Sequence, residues 1–246
     1  MQIVNPAFRL RPVSTRPTEE TVAANVALSP TVENYLKHLY AEQYDAGDRL
    51  LPMGKLAQAL GVTPGTATTM VKALADNGLV KYEPRDGVRL TAAGERHALS
   101  VIRRHRLVEL FLVRELGLDW SEVHEEAEEL EHAISDKVLD KIDELLGHPQ
   151  FDPHGDPIPG AKGQLAAATL KSLVECELHK PLRIARVTGQ DPAFLQTLHR
   201  LGLTPGTQVV VEARDALADA VTIRPKGQSV TTLGTAAAAK VLVQDG

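Results

Sequence analysis

KLAQALGVTPGTATTMVKALADNG, residues 55–78, is the stretch on which the fold turns. Lys55, Leu56 and Leu60 mark a short helix, which Gly61 stops because glycine adopts the left-handed conformation that ends a helix without strain. Thr63 followed by Pro64 opens another: the hydroxyl accepts an orphan N–H, and proline in the first turn gives up no hydrogen bond. Ala67, Met70, Val71 and Leu74 recur at helical spacing toward a core, and Asn77-Gly78 ends the run. Two short helices joined by Gly61-Val62-Thr63 make a helix-turn-helix. Leu79–Glu83 and Val88–Leu90 are β-prone and flank Pro84-Arg85-Asp86-Gly87, a turn tetrapeptide, so a hairpin wing follows. Thr63, Thr66, Thr68 and Thr69 stand on the outward face near the second helix's N-terminus, as groups that read base edges in a major groove do. Lys72, Lys81, Arg85 and Arg89 are placed to reach phosphates. The expected partner is double-stranded DNA. Winged helices also serve as protein–protein modules, and the complete helix-turn-helix plus wing, not any one threonine, favours DNA.

Upstream, Ser29-Pro30 caps a helix carrying Val32, Leu36, Leu39 and Tyr40, and residues 1–28 read as a flexible extension without the apolar core of a secretory signal. Downstream, Thr91 caps a long helix with Ile102, Leu107, Leu110, Phe111 and Leu116 at helical spacing. A further helical stretch runs from near Ser121 to Leu146 with a restart at Ser135. His148–Gly160 is too rich in Pro and Gly for regular structure. From Leu182 the texture changes to short runs (Gln208–Glu212, Val221–Ile223, Ser229–Leu233, Val241–Val243) between Gly and Pro turns, which predicts a small β-barrel. The fold class expected is mainly α with small β.

With 43% hydrophobic and 24% charged residues, the composition is that of a soluble globular chain, and no apolar run is long enough for a membrane span. The lone Cys176 cannot form an internal disulfide, which points to the reducing cytoplasm. The net charge of −5 weighs against a nucleic-acid binder only until its distribution is read: between Glu122 and Glu144 the acids far outnumber Lys137 and Lys141. Within that segment, in Val123-His124-Glu125-Glu126-Ala127-Glu128-Glu129-Leu130-Glu131-His132, helical steps of three and four line up His124, Glu128, Glu131 and His132. His105 and Glu109 form another i, i+4 pair. Carboxylate and imidazole together suit Mn²⁺, Fe²⁺ or Zn²⁺, and the absence of sulfur in this stretch disfavours soft metals. A solvated acidic helix is the plainer reading. Against it, like charges at these spacings repel unless a cation joins them, and the two pairs follow a DNA module. The pattern is not His-Glu-x-x-His, and no nucleophile elbow or phosphate-cradling glycine loop occurs, so the chain does not read as an enzyme. A metal-storage or trafficking protein on a winged-helix scaffold and a regulator sensing a small organic molecule are the competing readings.

Taken together, Thr31–Leu36 (TVENYL), Arg104–Glu109 (RHRLVE), His124–Asp136, Pro153–Pro159 (PHGDPIP) and Leu201–Gly206 (LGLTPG) resemble the diphtheria toxin repressor and manganese transport regulator family of metal-dependent repressors. The resemblance spans Ser29 to Val243 and includes the SH3-like domain of the longer members. It implies a winged helix-turn-helix at 29–92, a helical metal-binding and dimerisation domain at 93–147, a linker with a short helix at 148–180, and an SH3-like, FeoA-like β-barrel at 181–246. It implies a homodimer on operator DNA and two metal sites. Asn34, Glu128, Glu131 and His132 match the first. His105, Glu109 and His124 match the second, with a third-domain ligand where Gln190 and Asp191 fall. Asn34 and Glu128 replace the sulfur ligands of iron-type members, which favours Mn²⁺, with Fe²⁺ as the second reading. Lys37 stands where shorter manganese-type members have a Glu ligand, and Asp152 where some longer members have a ligating Cys.

Overall fold

The computed structural model describes residues 28–46, 49–166 and 168–246, so the extension expected at 1–28 lies, except for Leu28, outside the described residues. Helices α1 (Pro30–Ala46), α2 (Met53–Ala59) and α3 (Pro64–Asp76) precede the antiparallel hairpin of β1 (Val80–Glu83) and β2 (Gly87–Leu90). The caps read from the sequence form: Thr63 Oγ1 accepts from Thr66 N at 3.2 Å, and Gly61 has φ +63°. The unit closes on a core including Leu36, Leu39, Leu56, Val71, Leu74 and Val88. Leu51 exchanges two backbone hydrogen bonds with Val88 (2.9 and 3.0 Å), adding a third chain to the wing. Only glycine fits beside it at 87, since a Cβ there would lie 2.4 Å from the Leu51 carbonyl oxygen.

Helix α4 (Ala92–Arg114) is capped by Thr91, packs against α1 and carries α5 (Val123–Leu130) and α6 (Asp136–Leu145). The predicted stretch from Ser121 to Leu146 is thus two helices, broken over residues 131–135, with Ser135 capping the second. Among the described residues 148–180, the expected short helix does not form; the one regular element is the two-residue strand β3 (Lys171–Ser172).

The C-terminal region adds β4 (Leu182–Val187), α7 (Pro192–Arg200), β5 (Gln208–Asp215), β6 (Ala220–Pro225), β7 (Thr231–Gly234), α8 (Thr235–Ala238) and β8 (Val241–Asp245). Here the structure corrects the expected closed SH3-like barrel. The strands form one open antiparallel sheet in the order β3-β8-β4-β5-β6-β7, and no pairing joins edge strands β3 and β7. Irregularities at Ile184/Arg186 and Val211/Ala213 interrupt the register, as bulges that bend a sheet do. The apolar face is covered by α7 through Leu195 and Leu198, and by Trp120 from the α4–α5 connection. Alternation along a strand specifies a buried face; it does not specify closure, which depends on the remote pairing of two edges.

Candidate metal centre and nucleic-acid interface

Thr63, the N-cap of α3, and Thr66 and Thr69 within it are exposed, with Thr68 half-buried. Thr68 and Thr69 donate their hydroxyls to the carbonyls of Pro64 (2.7 Å) and Gly65 (3.0 Å), so their protons are spent inside the helix while methyls and acceptor lone pairs remain. Lys72 is exposed, Arg85 sits at the wing tip with φ +76°, and Arg89 is half-buried on β2. Lys81, the further phosphate candidate, pairs with Glu83 at 3.1 Å.

Behind the reading head, donors from α1, α4, α5 and the break after α5 converge. Asn34 of α1 faces His132 (Oδ1 to Nε2, 2.9 Å). The other nitrogen of that imidazole, Nδ1, lies 2.5 Å from Glu33 Oε2, and Arg104 in turn donates to Glu33 at 3.0 Å. A carboxylate behind a histidine fixes its ring and raises its basicity, the usual arrangement around ligating imidazoles. Glu131, fully buried, lies 3.4 Å from His132 Nε2 and 2.7 Å from His105 Nδ1. Lys37, three residues after Asn34, places its ammonium 3.0 Å from both Glu131 oxygens, in an ion pair with Glu128, and 3.4 Å from His105 Nδ1. Burial alone would raise the Glu128 pKa, but the Lys37 hydrogen bond and charge outweigh it and hold the carboxyl below its ordinary value.

The second array shares His105. Its Nε2 is 3.1 Å from both Glu109 Oε1 and His124 Nδ1. Burial by itself would depress the His105 pKa; hydrogen bonds to Glu109 and Glu131 overcome this and push it up to about 9. Glu109 is likewise opposed by burial and brought well below the carboxylate range by His105 and His124. His105, His124 and Glu128 place one ligand atom each within 4.8 Å of one another, and so do Glu109, Asp152 and His154, all three buried.

His154 carried no role in the sequence reading. The loop bearing it is pinned from both sides. Asp152 Oδ1 accepts from His154 N (2.8 Å) and Asp156 N (2.9 Å), while Arg106 of α4 donates to Pro157 O at 2.6 Å. The Val187 N–H of β4 donates to His154 O at 2.8 Å, and the buried Asp156 carboxylate takes ion pairs from Arg106 and Arg186. Gly155, at φ +85°, allows this approach: a Cβ would stand 1.9 Å from the Ala185 carbonyl oxygen. Within the pocket Glu109 Oε2 and His154 Nδ1 are buried without a hydrogen-bond partner and lie 3.8 Å apart. Burial, then the charges of Asp156 and Glu109, drives the Asp152 carboxyl well above its ordinary pKa. Orphaned donors of this kind, in an oxygen- and nitrogen-only set, fit a divalent cation.

Of the two third-domain candidates, Asp191 is the cap of α7, accepting from Phe194 N at 2.8 Å, and is exposed. Gln190 lines a cavity of about 420 Å³ together with Lys37, His105, Glu109, Glu128 and Asp152.

Three family models match the chain in order. They are the N-terminal DNA binding domain of iron dependent repressors (residues 27–88), their metal binding and dimerisation domain (91–160), and the FeoA domain (171–245). The iron-dependent repressor IdeR of Mycobacterium leprae (strain TN) is 31% identical over 216 residues, 83% of this chain and 93% of that one. A solved manganese-dependent transcriptional repressor in complex with manganese superposes with a TM-score of 0.78 at 38% identity, covering 87% of this chain and all of that one. ScaR with bound Zn²⁺ superposes at 0.70 and 33% identity, over 87% of this chain and 99% of that one. Among the described residues no helix is long and apolar enough to cross a membrane. The chain belongs to the family of iron- and manganese-dependent, DNA-binding transcriptional repressors, which are not enzymes, and carries an additional FeoA-like C-terminal domain.

Proposed function

We propose that the protein is a cytoplasmic, homodimeric, Mn²⁺-dependent repressor of metal-uptake genes, with Fe²⁺ as a second activator, built as a reading head (29–92), a sensing and pairing unit (93–147) and a third domain (181–246). One observation carries this: metal-type donors of the first helix of the DNA-binding unit and of the helical unit meet in one partly buried array, Asn34 against His132, with Glu131 and Glu128 beside them. The donor set contains no sulfur, which suits a hard divalent ion. Asn34, Glu128, Glu131 and His132 would hold one ion. His105, Glu109 and His124, with Asp152 and His154 from the loop, would hold a second. Asp191 is bonded to its own helix, so Gln190 is the better third-domain candidate.

A bound divalent cation supplies charge that pairs with the carboxylates and joins donors from separate units. Donors gathered from α1 and from α5 and its end fix the angle between head and helical unit, and through a dimer that angle sets the spacing of two α3 helices, which must match half-sites about 34 Å apart. Thr63, Thr66, Thr68 and Thr69 would face bases while Lys72, Arg85 and Arg89 meet phosphates. Val138 and Leu145, seven residues apart on α6, are 50% and 60% exposed and support pairing through this unit. The buried free thiol of Cys176 is consistent with the cytoplasm.

Glu131→Gln and His132→Ala should abolish Mn²⁺-dependent retardation of the chain's own promoter fragment while gel filtration still gives a dimer. Undiminished Mn²⁺ activation in both variants would remove this reading.

A further inference from the structure

Lys37 is the residue of α1 that the metal-sensing reading does not use. Its side chain is 15% exposed, and its ammonium rests on oxygens that the reading assigns to a metal: both of Glu131, which is fully buried, and one of Glu128. It also lies 3.4 Å from His105 Nδ1, a donor assigned to the second ion, so it touches members of both arrays. Glu33, the neighbouring acid on α1, has its own cation in Arg104 at 3.0 Å. Lys37 instead lies among the groups that a cation would need.

We infer that Lys37 is a tethered cation that closes the metal-free site, and that a divalent ion must evict it before Glu128 and Glu131 can become ligands. The inference rests on the metal-sensing reading and deepens it. Two cations cannot share these oxygens at such distances without strong repulsion. The apparent metal affinity is therefore the intrinsic affinity multiplied by the fraction of molecules in which the ammonium has swung away. Lys37 would then set the concentration at which the site fills. It would also hold α1 to α5 in the metal-free molecule, so that eviction and re-pairing of the reading head are one event.

Reductive methylation of the wild-type protein, with Lys37 followed by mass spectrometry, tests this without a variant. Lys37 should be slow to react in chelator and become several-fold faster with saturating Mn²⁺; an unchanged or slower rate would overturn the inference. Calorimetric titration of Lys37→Met with Mn²⁺ should give a Kd lower by about tenfold, the factor expected if roughly one molecule in ten is open. Lys37→Arg, which keeps the charge, should stay near wild type. The thermal midpoint of chelated Lys37→Met should fall and be regained with Mn²⁺. A Kd for Lys37→Met equal to or weaker than wild type would overturn the inference while leaving the metal-sensing reading intact. No Mn²⁺ binding by the wild type would overturn both.

Discussion

The two arrays differ in how completely the protein partners their polar groups. Around Glu128, Glu131 and Glu33 the protein supplies its own cations, Lys37 and Arg104, and these carboxylates are partnered. Around Glu109, Asp152 and His154, Arg106 stands 3.7 Å from Asp152, yet two buried polar atoms are left without hydrogen-bond partners, and burial and acidic neighbours hold the Asp152 carboxyl above its ordinary pKa. A pocket already neutralised can wait empty at little cost and respond when a competing ion rises. A pocket that keeps unpartnered buried atoms is unfavourable until something fills it, because an unpaired buried polar group carries its full desolvation penalty. The first arrangement suits a sensor; the second suits an ion held tightly as part of the structure, tying the loop and the third domain to α4.

The sharpest way to break this contrast is Glu109→Gln, which neutralises the carboxylate shared by His105 and His124 on one oxygen and His154 on the other. Calorimetry should show the tighter Mn²⁺ site weakened by more than the ~10–100-fold typical of losing an outer partner. Retained tight binding would place that ion elsewhere. A smaller effect follows from Gly155→Ala, which sets a methyl against the Ala185 carbonyl at a positive φ. The expected cost is about 1–3 kcal/mol, read as a lowered thermal midpoint and faster protease cleavage between Asp152 and Ala161. Cleavage as slow as in wild type would show that the loop does not need this close approach.

The smallest effect is in the pH dependence of the metal-free protein. His105 has a folded pKa raised from 6.5 to about 9, so its contribution is complete below 6.5 and is lost as pH rises toward 9. Glu109 has a depressed folded pKa, so its contribution is complete above 4.5 and is lost as pH falls below that. Both contribute in full only between 4.5 and 6.5. The chelated protein's thermal midpoint should therefore decline between pH 6.5 and 9. A midpoint rising across that interval, relative to a His105→Gln variant, would contradict the assignment.

Much of this was legible in the sequence because the signals are local. Gly61, Thr63-Pro64, Thr91 and Ser135 cap or stop the helices as read, and the i, i+4 spacings of His105/Glu109 and His124/Glu128 place donors on shared helix faces. What escaped depends on remote contacts. His154 enters the site only because its loop is clasped between α4 and β4, and barrel closure rests on edge strands that never meet. Asp191 read as a ligand, yet Asp191-Pro192 is also a helix-opening signal like Thr63-Pro64, and α7 begins there. Lys37 stood in the sequence as a departure from the metal pattern; its chemistry emerges only with Glu128 and Glu131 around it.

Metal control of operator binding is read from the fluorescence anisotropy of a labelled fragment of the chain's own promoter, titrated with wild-type protein in excess chelator and again in saturating Mn²⁺. A metal-dependent repressor should bind tightly and saturably with Mn²⁺ and with a Kd weaker by orders of magnitude in chelator, given that roughly 5.5 kcal/mol of differential affinity reverses such an equilibrium. Equal affinity in both buffers would contradict metal control.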